Sequence, residues 1–227
     1  MTPRYSVIIP TLNEEAWIDG TLAPLCALTP AVEVIVADGG SGDATGRRAA
    51  AHGVRVVDAA RGRGVQCNAG ARAARGGILL FLHADTRLPA DAFAILDRVF
   101  ADPAACIGTF RLAFDDRHPL LALYAWFSRF DSLLTRFGDQ GIAVRRELFD
   151  ELGGFPDWPV FEDVDLLRRA RRRTRIISFP GRVVTAARRF RRHGLVRTQL
   201  RNAWLVWLYL RGTPPDELAR RYNRPPG

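Results

Sequence analysis

The sequence contains no lysine; all 33 basic residues are arginine. That absence reads as genome composition rather than chemistry and excludes no function. Cysteine is scarce. Cys26, Cys67 and Cys106 are odd in number, far apart and without metal-ligand spacing, which excludes a disulfide framework and a zinc knuckle. Buried thiols in a reducing compartment are expected. Long apolar runs are also missing. No stretch reaches the roughly 18 to 20 residues of a membrane-spanning helix. The apolar part of "MTPRYSVIIP" is too short for a signal peptide, so a cytoplasmic location is expected.

What remains is ordinary in bulk and lopsided in detail. The 227 residues, 48% apolar and 25% charged, are enough for a real core in one large domain or two small ones. The net charge of +9 divides unevenly. Residues 168–227 hold 17 arginines against Asp216 and Glu217, a net of +15; residues 1–167 carry −6. A basic tail points to nucleic acid, an anionic membrane surface or a phosphate-rich ligand, or is simply a solvated surface.

Strands and helices alternate in the first 100 residues. "YSVIIP", "VEVIVAD", "VRVVDA" and "ILLFLHAD" read as strands. "EEAWIDGTLAPLCAL" has helical spacing at Trp17, Ile18, Leu22, Leu25 and Leu28. "DATGRRAAAHG" reads as a helix capped by Asp43 or Thr45 and stopped at Gly53, and "GVQCNAGARAARGG" as an Ala-rich helix closed by glycines. This order predicts an α/β fold: a Rossmann-like, mostly parallel central sheet with helices on both faces.

Ligands of such sheets bind beyond the carboxyl ends of the strands. Here those ends read "PTLNEE", "ADGGSGDAT", "AARGRG" and "HADT". Each alone could be a helix cap or a turn; four polar ends at one edge predict a site. GxGxxG is absent from "ADGGSG" and "GRGVQCNAG", which disfavours hydride transfer.

In this order, "SVIIPTLNEE", "VADGGSGDAT", "GVQCNAGARAARGGILLFLHADT", "GDQGIAVRRELFDELGGFP" and "FEDVDLLRRARRR" resemble family 2 glycosyltransferases of the GT-A fold, closest to a compact bacterial subgroup with GDQ and ED motifs. The resemblance runs from about residue 5 to residue 192 and implies a nucleotide-sugar donor, UDP- or GDP-linked. Pro10, Thr11, Asn13 and Glu14 match the first donor-binding segment. Asp38 matches the carboxylate that meets the base, with Gly39 where the family has a second Asp and Gly40 following. Arg63, Gln66 and Asn68 fall in the segment that closes over base and diphosphate. A guanidinium fork suits a phosphate. His83, Ala84 and Asp85 stand at the family's Asp-x-Asp motif. Asp85 is the expected ligand of a divalent cation, Mg²⁺ or Mn²⁺, whose other ligands come from phosphate. His83, replacing the first Asp, is expected to contact sugar or ribose or to fill space; the alternative is that Asp85 only caps a helix.

In "FEDVDLL" the resemblance puts the catalytic base at Asp163, with Glu162 orienting the acceptor or Asp163. Asp165 is expected to face solvent or an arginine. A base is needed because an acceptor hydroxyl is a poor nucleophile while it holds its proton. One base and one displacement imply inversion at the anomeric carbon. Acidic residues also collect at helix N-termini because of the helix dipole alone. In "GDQGIAV", Gly138 and Gly141 point to close backbone approach, and Asp139 and Gln140 are candidates for sugar or acceptor contacts, or an ordinary turn.

"PLLALYAWFSRFDSLLTRF", residues 119–137, reads as an amphipathic flap or as a helix packed in the core, the latter preferred. The tail joins Arg188, Arg189, Arg191 and Arg192 to the apolar run Ala203 to Leu210. It is open to three uses: lying peripherally on the inner face of a membrane, packing on the domain, or forming a homodimer face. Arg191, Arg192 and His193 are candidates to reach a donor or lipid phosphate. The expected division is 1–192 for the transferase, with 1–100 the nucleotide-sugar half and 101–192 the acceptor half, and 193–227 for a helical tail. The acceptor is an unidentified hydroxyl, lipid-linked in one reading. A nucleotidyltransferase is the alternative within enzymes, but "TLNEE" is acidic where that class needs a glycine-rich basic turn. A non-catalytic nucleic-acid binder is the other; the acidic front half would repel a backbone, so no nucleic-acid partner is expected.

Overall fold

The computed structural model describes residues 3–28, 32–130 and 138–223, leaving aside the side chains of Arg189, Arg192, His193 and Asn223. The elements run β1 (Tyr5–Thr11), α1 (Ile18–Cys26), β2 (Val32–Asp38), α2 (Thr45–Ala51), β3 (Arg55–Asp58), α3 (Arg63–Ala73), β4 (Ile78–Phe81), β5 (Thr86–Arg87) and α4 (Ala92–Val99). Next come β6 (Ile107–Phe114), α5 (Pro119–Phe127), a 3₁₀ turn (Gly138–Gln140), β7 (Ile142–Arg145), α6 (Arg146–Glu151), α7 (Glu162–Ala170), β8 (Ile177–Thr185), α8 (Arg188–His193), α9 (Leu195–Leu210) and α10 (Pro215–Asn223).

The strands form one eight-stranded sheet in the order β3-β2-β1-β4-β7-β6-β8-β5. The first four are parallel, β7 is antiparallel to both of its neighbours, and β6 and β8 are parallel. Alternation along the strands divides the core. Val7 and Ile9 of β1 and Leu80 of β4 pack with Ile18, Leu22 and Leu25 of α1 and Ile95 and Leu96 of α4. Ile8, Leu79 and Phe81 face the other way, against Cys67 and Ala71 of α3, Phe149 of α6 and Leu166 and Leu167 of α7. A β-strand buried on both faces is apolar at nearly every position, which is why "VIIP" and "ILLF" show no alternation of polarity. Helices therefore cover both faces of a mixed, mostly parallel sheet, as expected.

Some expectations shift. β4 stops at Phe81, before the apolar run ends: Leu82 still donates to the Ile8 carbonyl at 3.0 Å, then the chain turns, with Thr86 N on the His83 carbonyl at 3.1 Å. Leu28 of the predicted helix face is exposed, and of the three thiols only Cys67 is buried. The preferred reading of residues 119–137 is corrected within its described part. α5 buries Leu121 but exposes Leu120, Leu123, Trp126 and Phe127, because only one of its faces packs on β6; residues 131–137 lie outside the described ones. α9 and α10 pack back onto the domain: Leu205, Tyr209, Leu218 and Ala219 form a cluster with Val160 and with Val164 of α7.

Candidate active site

The carboxyl ends of β1, β2 and β4 meet the 3₁₀ turn and the start of α7. The β1–β2 edge is built by local hydrogen bonds. Asp38 accepts from Thr11 Oγ1 at 3.0 Å, Ser41 Oγ at 2.6 Å and Ser41 N at 2.9 Å. Asn13 has φ +56° and reaches across to the Gly42 amide at 2.8 Å. The left-handed region favours Asn among non-glycine residues. Gly40, at φ +82°, closes the same turn. Gln66 is buried, its amide donating to the Thr11 and Ala37 carbonyls at 2.6 and 2.9 Å. Asn68 clamps Phe155 through both its backbone groups at 2.9 Å. These two amides hold the frame of the cleft. Pro10 ends the apolar part of β1, and Ala84 is buried with its carbonyl on Thr21 Oγ1 at 2.6 Å.

Asp85 does not cap a helix, since the chain enters β5 directly after it and the next helix starts at Ala92. Its carboxylate lies 3.1 Å from Arg188 Nε. The other edge of the same guanidinium makes two bonds to Glu14, at 2.9 and 2.7 Å. Two carboxylates from the ends of β1 and β4 therefore share one cation. Burial pushes the Asp85 carboxyl upward, and Arg188 opposes that shift. Among the described residues no group of three or more His, Cys, Asp or Glu could hold a metal ion. Asp85 and Glu14 nonetheless offer hard oxygen donors around a place that already takes positive charge, so they fit a divalent cation that displaces Arg188. His83 sits away from that place, its Nε2 3.3 Å from an Arg63 nitrogen.

On the far wall, Asp163 and Glu162 are both buried. Asp163 Oδ2 accepts from the Gly138 amide at 2.5 Å, and Oδ1 from its neighbour Val164 N at 2.8 Å. A Cβ at Gly138 would stand 2.9 Å from that Oδ2 and 3.4 Å from His83 Nε2. The glycine is thus required by the carboxylate it holds. Glu162 Oε1 pairs with Arg63 Nε, and its Oε2 is buried without a hydrogen-bond partner among the described residues. Burial raises the Glu162 carboxyl, with Arg63 working against it. The Arg63 side chain is still 41% exposed.

The neighbouring Asp139 is also a perturbed acid. Burial, then the charge of Asp163, push it up to about 7, and its Oδ1 is buried with no partner among the described residues. Gln140 is buried against Thr109 Oγ1 at 3.2 Å. Asp165 does meet arginines, but from a buried position: Arg168 at 2.9 Å and Arg169 at 2.6 Å. Of the tail residues, Arg191 pairs with Asp115 at 3.1 Å; the side chains of Arg192 and His193 lie outside the described ones.

Two features had no sequence signal. One is Arg188 on Glu14 and Asp85, a contact across 174 residues. The other is Phe161, in the left-handed region at φ +64° immediately before α7 and stacked on Tyr209 of α9 at 5.1 Å.

The sequence matches Glycosyl transferase family 2 over residues 6–150. The chain belongs to that family. A search of curated proteins gives no match. Solved structures share the fold. TarS 1-349 from S. aureus is 20% identical with a TM-score of 0.64, over 81% of this chain and 60% of that one. The mannosyltransferase PcManGT from Pyrobaculum calidifontis, in complex with GDP-Man and Mn²⁺, is 24% identical at 0.64, over 82% and 58%. Glucosyl-3-phosphoglycerate synthase from Mycobacterium tuberculosis, with Mn²⁺, uridine-diphosphate and glucosyl-3-phosphoglycerate, is 24% identical at 0.56, over 81% and 70%. This family 2 glycosyltransferase thus spans less than two thirds of the first two. Its GT-A fold brings Glu14, Arg63, His83, Asp85, Asp139, Glu162 and Asp163 to one cleft.

Proposed function

We propose that the chain transfers a sugar from a UDP- or GDP-linked donor to a hydroxyl acceptor with inversion, using Asp163 as the base. The observation that carries this reading is the Asp163 carboxylate. It is buried, fixed by the Gly138 amide at 2.5 Å, and set beside the Glu162–Arg63 pair at the carboxyl edge of parallel strands. A base held this way needs no reorganisation when it takes a proton. The acceptor oxygen bonds to the anomeric carbon from the Asp163 side as its proton passes to the carboxylate. The bond to the donor phosphate breaks on the opposite face, and the nucleoside diphosphate leaves. The exposed edge of Arg63 meets the developing phosphate charge. Glu162 holds that guanidinium in place and offers Oε2 to the acceptor. A divalent cation on Asp85, with Glu14 nearby, would supply charge neutralisation to the diphosphate; PcManGT and the M. tuberculosis synthase were solved with Mn²⁺. Pro10, Thr11, Asn13, Asp38 and Gly40 are proposed to line the base and ribose end, with Gln66 and Asn68 as the frame behind them. Asp139 and Gln140 are proposed on the sugar and acceptor side.

The division into 1–192 for transfer and 193–227 as tail is part of the proposal. So is a lipid-linked acceptor reached from a membrane surface, supported by the exposed Val196, Leu200, Trp204, Trp207 and Leu210 of α9. The test is a donor screen. UDP- and GDP-sugars are incubated with Mn²⁺ or Mg²⁺, and released nucleoside diphosphate is measured. One donor should be turned over, and chelation should stop the reaction. If none is bound or consumed, the reading fails.

A further inference from the structure

A second cavity, of about 230 Å³, opens between β6, β8 and α5. Three arginines line it: Arg111 from β6, Arg182 from β8 and Arg129 just past α5. Arg111 and Arg182 are register partners on adjacent parallel strands, beside a bulge between Thr109 and Arg111. Like charges placed side by side in a sheet are destabilising unless something offsets them. Arg111 Nε is buried and has no hydrogen-bond partner among the described residues. The cavity's acid, Asp116, faces Arg191 at 3.7 Å, and Arg191 is nearer still to Asp115. The walls are otherwise apolar. Leu121 closes one side, and Trp126 forms the rim with the Arg129 guanidinium 4.7 Å from its ring. Beyond the rim the apolar surface continues: Trp126 is 5.2 Å from Phe127 and 5.0 Å from Phe130, and all three are exposed.

We propose that this cavity binds the phosphate of an amphiphile, with its apolar chain leaving across Trp126 toward Phe127 and Phe130. The size fits a headgroup rather than a whole substrate, because pockets for drug-sized ligands run to roughly 300–1,000 Å³. Three guanidinium forks lining one small cavity suit a tetrahedral oxyanion. The buried Arg111 Nε has no hydrogen-bond partner among the described residues, so this guanidinium is not fully satisfied by the protein around it. The cavity lies on the β6–β8 part of the sheet, and binding there does not rest on the transfer reaction.

The test is calorimetry with monomeric probes: dodecyl phosphate, dodecanol and inorganic phosphate, each below any micelle concentration. Dodecyl phosphate should bind at least about tenfold more tightly than either half of it alone. Arg182→Gln and Arg111→Gln should each weaken it about tenfold or more. Arg111 is partly buried and its substitution can disturb folding, so Arg129→Gln and Trp126→Ala, both on exposed positions, give the same test at the rim. Circular dichroism confirms that each variant is folded. Equal binding of inorganic phosphate would reduce the site to a bare anion pocket and overturn the proposal. Equal binding of dodecanol, or unchanged affinity in all four variants, would overturn it as well. Short-chain phosphatidylglycerol supplies the last arm. Tighter binding of the diester assigns the headgroup to a bilayer phospholipid, and tighter binding of dodecyl phosphate assigns it to a phosphate monoester; either result supports the site.

Discussion

Asp163 accepts a hydrogen bond from a backbone amide of a neighbouring turn, whereas Asp165, two residues on, is spent on Arg168 and Arg169. Their asparagine variants should part accordingly. Asp163→Asn removes the proton acceptor with almost no change of shape, so turnover should fall by roughly 10²- to 10⁴-fold with donor affinity nearly unchanged. Asp165→Asn should leave turnover per folded molecule intact and instead cost about 1–3 kcal/mol of stability, because Arg169 also ties down the Gly154 carbonyl at 2.8 Å. Initial rates together with melting curves separate the two. A collapse in rate confined to Asp165→Asn would move the base by two residues. Asp139 makes a different prediction. Its folded pKa of about 7 lies above that of an unfolded aspartate. The folded state therefore binds the extra proton, and the stability this confers is present below about pH 4 and lost as pH rises through about 7. Asp139→Asn keeps the shape and abolishes that loss, so its Tm should exceed that of the wild type at pH 8 and approach it at pH 4. Parallel Tm–pH curves for the two proteins would remove Asp139 as a titrating group.

α8 carries one arginine into the donor end of the cleft, and α9 carries one tyrosine to the base of α7. Arg188 bonds both Glu14 and Asp85, so a cation bound there must first displace it. Arg188→Gln should strengthen Mn²⁺ binding several-fold in the absence of nucleotide, read by calorimetry or by the Mn²⁺ resonance signal. Equal or weaker Mn²⁺ affinity in the variant would show that Asp85 is not where the ion goes. Phe161 keeps a left-handed conformation that costs roughly 1–2 kcal/mol in a non-glycine residue, and Tyr209 stacks on it within 12° of parallel. The strand ends are legible in the sequence because strand, polar break and helix succeed one another locally in the chain. "ED" at a helix start and the glycine before "DQ" are legible as motifs for the same reason. Arg188 on Glu14 and Tyr209 on Phe161 are not. Each joins residues 48 or more apart with no shared periodicity, and an arginine among 33 carries no mark of its partner.

Across the molecule the basic segment 168–227 meets the acidic front: Arg188 meets Glu14 and Asp85, and Arg191 meets Asp115 and Asp116. The charge imbalance is legible in the sequence, but its destination is not, because composition does not say which surface a tail folds back on. Pairing uses up only part of the excess. α9 buries Leu205, Val206 and Tyr209 toward the domain and exposes Val196, Leu200, Trp204, Trp207 and Leu210 on its other side. Steps of four, four, three and three residues put those five on one stripe. Arg211 lies over the Trp207 ring at 4.6 Å and Arg221 over Trp204 at 5.3 Å. No helix among the described residues is long and apolar enough to cross a membrane, but a stripe of this kind can lie in the headgroup region of one. The full-length protein should therefore cosediment with phosphatidylglycerol vesicles at low salt and much less with neutral phosphatidylcholine. Binding should weaken as salt rises, since charge attraction is screened over about 8 to 10 Å at ordinary ionic strength and about 3 Å at 1 M. Leu200→Asp alters the outer stripe alone and should abolish the binding without lowering Tm. If no vesicles are bound and Leu200→Asp instead dissociates a dimer in sedimentation equilibrium, the stripe belongs to a second copy of the chain and the membrane reading fails.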